Sequence, residues 1–217
     1  MRRAAFVFAP AVVLAVVLTG RPAFAQDPPP PLPRVVVDLH GLIPIFPNDA
    51  VQLADSRGLS VSELPGAGMG GRVSADVYLM KIKAMTFGAG ADVMLGVSSS
   101  TPAEGVTGLV AVNERLREAS GHVSVNFGSG HGWSYLSGGM GRSRWSLHPA
   151  GSAETNADTE ALPTVNYGGG ARWFAKKHLA FSLDVRIYEI QPGSSDGPRP
   201  GSPRTRLFVI GAGISLK

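Results

Sequence analysis

The sequence predicts an all-β fold: an eight-stranded antiparallel up-and-down transmembrane β-barrel, with short periplasmic turns and long extracellular loops. Three observations indicate this fold. Short segments with alternating apolar and polar residues recur along the chain. Glycine is abundant, at 28 of 217 residues. After residue 25 no apolar run is long enough for a helix that spans a membrane. Only helices and closed barrels satisfy every backbone polar group in lipid, so a membrane-embedded form of this chain would be a barrel.

The first 25 residues predict a cleavable signal peptide that exports the protein. A short basic start, with Arg2 and Arg3, precedes an apolar stretch over residues 4–18. The small residues Ala23 and Ala25 then fit the cleavage rule, which places the cut directly after them. An uncleaved membrane anchor is the alternative. The apolar stretch is short for one, because a spanning helix needs about 20 residues.

Charge and cysteine content narrow the class of protein. Loss of the signal peptide removes three arginines and no acid, so the formal charge of +4 falls to +1 in the mature chain. No basic patch is interleaved with aromatic residues, so nucleic acid is not an expected partner. The chain has no cysteine. A core or a closed hydrogen-bonded sheet must therefore stabilise it without disulfides.

The mature chain divides into a short linker and one domain. Residues 26–33 predict a proline-rich linker of polyproline type, and residues 34–217 predict the barrel. The predicted strands lie at residues 34–46, 72–79, 87–97, 122–127, 133–145, 165–174, 179–187 and 204–216. The short connections are 81–84, 129–131 and 176–178, and the long ones are 47–65, 99–118, 148–163 and 191–203. An even strand number with alternating connection lengths is typical of an outer-membrane barrel.

The two faces of the predicted strands indicate a membrane protein. Leu183 and Val185, for example, alternate with Asp184 and Arg186. A soluble barrel would bury the large apolar residues. Here small and charged residues are expected inside and apolar residues outside, as lipid requires. A soluble periplasmic sandwich or lipocalin-like barrel that binds a small apolar ligand is the alternative.

Two segments resemble the repeating hairpins of small bacterial outer-membrane β-barrel proteins, the OmpA-like and opacity-type group. They are residues 126–141, NFGSGHGWSYLSGGMG, and residues 166–190, NYGGGARWFAKKHLAFSLDVRIYEI. The resemblance covers most of the mature chain. It implies a place in the bacterial outer membrane, contact with outer-membrane lipid and lipopolysaccharide, and insertion by the barrel assembly machinery. That machinery usually reads a terminal aromatic residue. This chain ends in Leu216 and Lys217, so recognition would rest on Leu216.

A glycine motif and a His–Ser pair are the candidates for chemistry. Residues 66–71, GAGMGG, match the dinucleotide fingerprint, but they precede an alternating strand rather than a helix, so a loop entering the barrel is favoured. His122 and Ser124 share one strand face. Some small outer-membrane barrels that deacylate lipid A use a His-x-Ser pair, which makes a lipid A-modifying enzyme an alternative function. Such neighbours lie about 6.5–7 Å apart, and no carboxylate is evident to orient His122, so the chain is not expected to be an enzyme.

No metal or cofactor is expected. The histidines, His40, His122, His131, His148 and His178, form no close pair of the kind that holds a transition metal. Glu154, Asp158 and Glu160 could gather a calcium ion, but their spacing matches no known calcium loop, so a solvated loop is favoured.

Nine charged residues are predicted to face the lumen and to form a network there. They are Asp38, Arg72, Asp76, Asp92, Arg142, Arg144, Arg172, Asp184 and Arg186. Buried charges need partners, and eight strands leave an interior only wide enough for side chains. Paired ions that fill the lumen are therefore favoured, with a narrow channel as the alternative. The expected function is that of a structural, surface-exposed protein whose mobile loops bind an unidentified ligand.

Overall fold

A computed structural model describes residues 30–102, 104, 107–195 and 197–217 of the chain. It is a closed barrel in which each strand pairs antiparallel with its sequence neighbours and β1 closes the sheet on β8. The strands are β1 Val35–Ile45, β2 Met69–Ile82, β3 Met85–Ser100, β4 Val112–Ser129, β5 Gly132–Pro149, β6 Leu162–Phe174, β7 Leu179–Ile190 and β8 Thr205–Leu216. The predicted fold class is confirmed. The predicted signal peptide lies outside the described residues.

The connections alternate in length as predicted. Short turns at residues 83–84, 130–131 and 175–178 lie at the end of the barrel where the described chain starts and finishes, here called the turn end. The longer connections join strands at the opposite, loop end, and their described residues are 46–68, 101–102, 104, 107–111, 150–161, 191–195 and 197–204. Residues 66–71 lead into β2, as the strand interpretation of that glycine motif predicts.

One loop prediction was wrong. Residues 99–118 were expected to be a long loop, but β3 continues to Ser100 and β4 begins at Val112. In this part of β4 the inward residues Glu114 and Glu118 alternate with outward arginines. Both faces carry charge, so the sequence shows no contrast between apolar and polar positions. The alternation that marks the other strands is therefore hidden here.

The first long loop is folded over the mouth of the barrel rather than free. It contains helix α1, Val51–Arg57, and a 3-10 helix, Val61–Glu63. Leu53 of α1 is fully buried in the apolar cluster that fills the loop end of the lumen. The third loop contains the short helix α2, Asn156–Thr159, which packs on β5. The first loop was expected to be mobile, but it forms a cap that packs on the barrel.

The lumen has three layers along the barrel axis. The loop-end layer is apolar and includes Phe46, Leu116 and Trp145 together with α1. The turn-end layer is aromatic: Tyr78 and Trp133 pack with Val36, Leu32 and Phe174. Buried charged and polar side chains fill the layer between them. Water-excluding layers therefore close the charged layer from both ends.

The described part of the predicted linker, residues 30–33, also packs on the turn end. The carbonyl of Pro30 accepts a hydrogen bond of 2.7 Å from the backbone N–H of Gly130, and Leu32 contacts the aromatic layer.

The outer face of the barrel carries a belt of apolar side chains. Val93, Leu136 and Met140 expose 57%, 63% and 74% of their surface. A soluble monomer rarely exposes apolar patches larger than a few hundred square ångströms. Contact with lipid acyl chains would remove the free-energy cost of exposing these apolar side chains to water. None of the helices in the described residues is long and apolar enough to cross a membrane.

Candidate functional site: the lumen charge network

Seven of the nine predicted lumen charges are buried inside the barrel. They are Asp38, Arg72, Asp76, Asp92, Arg172, Asp184 and Arg186. The other two, Arg142 and Arg144, were predicted wrongly, because both are exposed on the outer face of β5. The prediction assumed that the large aromatic residues of this strand face lipid. Instead Trp133, Tyr135 and Trp145 point inward and are at most 5% exposed, which turns the alternate residues outward.

Arg172 joins three strands. Its guanidinium is paired with Asp38 of β1 through Nε and Nη2, and Nη2 also lies 3.0 Å from Asp76 of β2. The third nitrogen, Nη1, donates to the hydroxyl of Tyr78 at 3.2 Å. The cation also lies over the ring of Tyr135, 4.3 Å from its centroid. Arginine suits this position because its planar fork can serve two carboxylates at once.

Asp184 holds a second group of partners. Its Oδ1 lies 2.7 Å from Nη1 of Arg72, and its Oδ2 accepts a hydrogen bond of 2.7 Å from the hydroxyl of Tyr135. Arg72 also contacts His40 through Nη2, at 2.9 Å from Nδ1. The other ring nitrogen of His40 lies 2.6 Å from the hydroxyl of Ser182. The group thus connects β1, β2, β5 and β7 across the lumen.

His122 lies between two carboxylates. Its Nε2 is 2.8 Å from Asp76 Oδ1, and its Nδ1 is 3.1 Å from Asp92 Oδ2. An ionised carboxylate only accepts hydrogen bonds, so each nitrogen must carry a proton to bond both. The geometry therefore suits an imidazolium, which places a cation between two acids. Sequence reasoning missed these partners because they come from β2 and β3 and only the sheet register brings them to His122.

The same contacts bear on the His–Ser pair. Both ring nitrogens of His122 contact aspartates, and the hydroxyl of Ser124 accepts a hydrogen bond of 3.0 Å from Asn126 Nδ2. Nucleophilic catalysis requires the base to reach the hydroxyl. The structure does not bring these two groups into that contact.

The network extends toward the loop end as far as Glu118, which was predicted to lie in a loop. Arg186 donates to Asn166 Oδ1 and to Ser137 Oγ, each at 2.7 Å. Asn166 in turn lies 3.4 Å from Glu118 Oε1. Glu114 accepts a hydrogen bond of 2.8 Å from the indole N–H of Trp145. Glu114 and Glu118 are therefore two buried acids of the described barrel strands that the predicted set lacks.

Glycines create the room that these side chains occupy. A Cβ on Gly90 would lie 2.7 Å from Nε2 of His122, and one on Gly170 would lie 2.7 Å from the hydroxyl of Tyr135. The free space left among the charged residues is about 10 Å³. A single water molecule needs at least about 10–15 Å³. The charged layer is thus filled by its own side chains.

A second buried ion pair ties the loops to the barrel. Beyond Ser143, β5 has no β6 partner, so one of its edges needs other hydrogen-bond partners. Asp158 of α2 accepts from the backbone N–H of Leu147 at 2.8 Å, and Arg57 of α1 donates to the carbonyl of Trp145 at 3.2 Å. The two side chains are paired at 3.3 Å. This contact is called the loop clamp below.

One of the three candidate calcium ligands, Asp158, belongs to the loop clamp. Asp158 is held by Arg57 and by the cap of its own helix, where Thr155 donates to it at 2.8 Å. Glu160 accepts from Ser194 at 2.9 Å, and Glu154 is exposed. Each of the three acids has a different environment, so the structure does not gather them around one point.

Comparison with solved structures shows the class of fold. Neisserial surface protein A matches with a TM-score of 0.54 and 13% identity, covering 85% of this chain and 97% of that chain. The outer membrane enzyme PagL matches with a TM-score of 0.46 and 9% identity, covering 83% and 99%. Ail, the attachment invasion locus protein of Yersinia pestis, solved with the heparin analogue sucrose octasulfate, matches with a TM-score of 0.42 and 9% identity, covering 84% and 96%.

No protein-family model and no curated protein matches the chain. The closed up-and-down sheet and the likeness to Neisserial surface protein A define the fold as that of the small eight-stranded outer-membrane barrels. This agrees with the resemblance seen in the sequence.

Proposed function

We propose that this protein is a structural, surface-exposed component of the bacterial outer membrane, exported by its signal peptide. The observation that carries the proposal is the inversion of the two sheet faces. Apolar side chains such as Met140 form an exposed belt outside, whereas ion pairs such as that of Arg172 with Asp38 lie inside. This arrangement is stable only if lipid surrounds the barrel.

The filled lumen favours an anchoring role over a channel. The charged layer leaves about 10 Å³ of free space, and α1 closes the loop end with apolar contacts. Among the described residues, the space left in the charged layer is too small for a hydrated ion. We expect the barrel in a planar bilayer to show no large, steady, ohmic conductance.

The loop end is the part that would bind a partner. A cavity of about 840 Å³ opens there, lined by strand ends and by Asn113, Arg115, His148 and Glu154. Ligand sites commonly have volumes of about 300–1,000 Å³. The other expected partners are outer-membrane lipid and lipopolysaccharide around the belt, and the assembly machinery during insertion. The contacts of His122 with two aspartates give no support to the lipid A-modifying alternative.

Cell fractionation combined with gel mobility tests this proposal. The protein, expressed with its signal peptide, should be found with outer membranes, and the detergent-extracted protein should migrate differently before and after boiling. The reason is that a closed sheet has no edge from which SDS can unzip it. Recovery in the soluble periplasmic fraction, with one mobility under both conditions, would favour the soluble barrel instead.

A further inference from the structure

Four arginines cluster on the outer wall of the barrel, near the loop end. Arg115 and Arg117 lie on β4, and Arg142 and Arg144 lie on β5. All four are exposed. The register places Arg117 directly opposite Arg144, and Arg142 opposite Ala119. We call these four residues the arginine patch.

The arginine patch shares a small cleft with the exposed Glu154, but among the described residues no carboxylate lies within ion-pair distance of its guanidinium groups. None of its members forms an ion pair, and Arg142 has one hydrogen bond of 3.2 Å, to the carbonyl of Ala161. By contrast, the outward Arg206 of β8 is paired with Glu189 at 2.9 Å. Like charges directly opposite on neighbouring strands are destabilising. An anion bound between them would remove that repulsion.

An apolar groove lies directly beside the arginine patch. It has a volume of about 640 Å³ and is lined by Val73, Val93 and Leu95 from β2 and β3 and by Arg117 and Arg144 at its charged side. The three apolar side chains are 46%, 57% and 46% exposed. The groove therefore offers hydrocarbon contact at one side and guanidinium groups at the other, so a complementary ligand is amphiphilic.

The height of the arginine patch on the wall matches a lipid headgroup. On β4 the outward positions from residue 119 to residue 127 are apolar or small. These nine residues are the length that a tilted strand needs to cross the hydrocarbon core. Arg117 is the next outward residue toward the loop end, so its charge lies where the hydrocarbon ends. Arginine also binds phosphate through two parallel N–H groups.

We infer that this groove binds a phosphorylated lipid of the outer leaflet. The lipid phosphate is held by the arginine patch, and an acyl chain lies along Val73, Val93 and Leu95. The inference rests on the proposed place in the outer membrane. It goes beyond that proposal by naming a site and the chemistry of its ligand.

Binding of bis-phosphorylated lipid A to the whole exported protein, purified in detergent, tests the inference and is measured by native mass spectrometry. We expect at least tenfold weaker binding after enzymatic dephosphorylation of the lipid, and a similar loss in the double variant Arg117→Ala/Arg144→Ala. The matched control is Arg206→Ala, which removes an outward arginine that is already paired, and its binding should stay within twofold of wild type.

A separate variant tests the part of the groove that is proposed to contact the acyl chain. Val93→Trp fills the groove without changing charge and should weaken binding severalfold, whereas Val185→Trp, on the outer face of β7, should not. Equal binding of phosphorylated and dephosphorylated lipid A by the wild-type protein would overturn the inference, even if a variant fails to fold. Displacement of the lipid by millimolar inorganic phosphate would overturn it too, because it would indicate an ion site without lipid contact. Fractionation with outer membranes is measured separately, so either claim can fail alone.

Discussion

Arginines occur on both faces of this sheet, and the two groups differ in burial and in ion pairing. Inside, Arg72 and Arg172 are at most 4% exposed, and each is paired with an aspartate. Outside, Arg142 and Arg144 are exposed, and neither forms an ion pair among the described residues. A buried charge without a partner is very costly, whereas an exposed one is solvated. The inner arginines are therefore part of the stability of the barrel, and the outer ones are free to bind something else.

The largest expected effect is the loss of Arg172. The variant Arg172→Ala leaves Asp38 and Asp76 without their shared cation in the filled lumen. Breaking a buried pair by removing one partner costs about 3–5 kcal/mol. Urea unfolding followed by tryptophan fluorescence should show this loss. Arg144→Ala, on the outer face of the same sheet, should change the free energy of unfolding by less than about 0.5 kcal/mol. Equal effects would remove the distinction between the two faces.

Removal of the imidazole between two acids is expected to have the next largest effect. His122→Ala takes a hydrogen-bond donor from both Asp76 and Asp92. A hydrogen bond to a charged group contributes about 1.5–3 kcal/mol, so the midpoint of unfolding should fall clearly. Ser124→Ala, two residues along the same face, is the control and should have a smaller effect. A larger effect of Ser124→Ala would contradict the assignment of His122 as the bridging cation.

The loop clamp gives a smaller expected change. Asp158→Asn keeps one oxygen that can accept from Leu147, but it removes the charge that faces Arg57 and turns an amide nitrogen toward the N–H of Thr155. The loss of charge assistance and of this helix cap together costs about 1–2 kcal/mol. Limited proteolysis should then cut more readily within residues 150–161. Glu154→Gln, an exposed acid in the same loop, should not change the cutting rate.

The smallest effect is a pH dependence in the first loop. The backbone N–H groups of Ser60 and Val110 bond to the carboxylate of Glu63 at 2.6 and 2.7 Å and hold its pKa below the usual range. Because the pKa of Glu63 is lower in the folded state, this contact contributes its full stabilisation at pH values above the unfolded pKa of about 4.3. The stabilisation is lost as the pH falls through the folded pKa.

Hydrogen exchange of residues 107–112, corrected for intrinsic rates, measures this contact. Protection in the wild-type protein should fall as pH is lowered through that range. Glu63→Gln should show low protection that does not depend on pH. Constant protection in the wild-type protein would show that the carboxylate does not hold this loop.

The sequence predicts the sheet well because each strand needs only local alternation. Strand β7 is the clearest case: Asp184 and Arg186 were placed inside from their apolar neighbours alone, and both are buried. The same reasoning failed on β5. There the inward positions carry Trp133 and Trp145, because the lumen closes at each end with an apolar layer. Aromatic residues therefore do not mark the lipid face at the ends of a filled barrel.

The partners within the network could not be predicted from the sequence. Asp76 and Asp92 reach His122 from two other strands, and a register shift of one residue would turn every side chain to the opposite face. The loop clamp between Arg57 and Asp158 joins residues 101 positions apart. This contact depends on how far β5 extends beyond its pairing with β6. No local sequence pattern predicts that length.

The central claim is that this barrel crosses the outer membrane with its long loops outside, and unique cysteines test it most directly. The chain has no cysteine of its own, so single variants are labelled at one site only. Ser152→Cys lies in an exposed loop at the loop end, and Lys177→Cys lies in an exposed turn at the opposite end. A membrane-impermeant maleimide added to intact cells should label Ser152→Cys alone, and both variants should be labelled after lysis. Labelling of Lys177→Cys but not Ser152→Cys in intact cells would invert the topology, and labelling of neither would contradict a place on the cell surface.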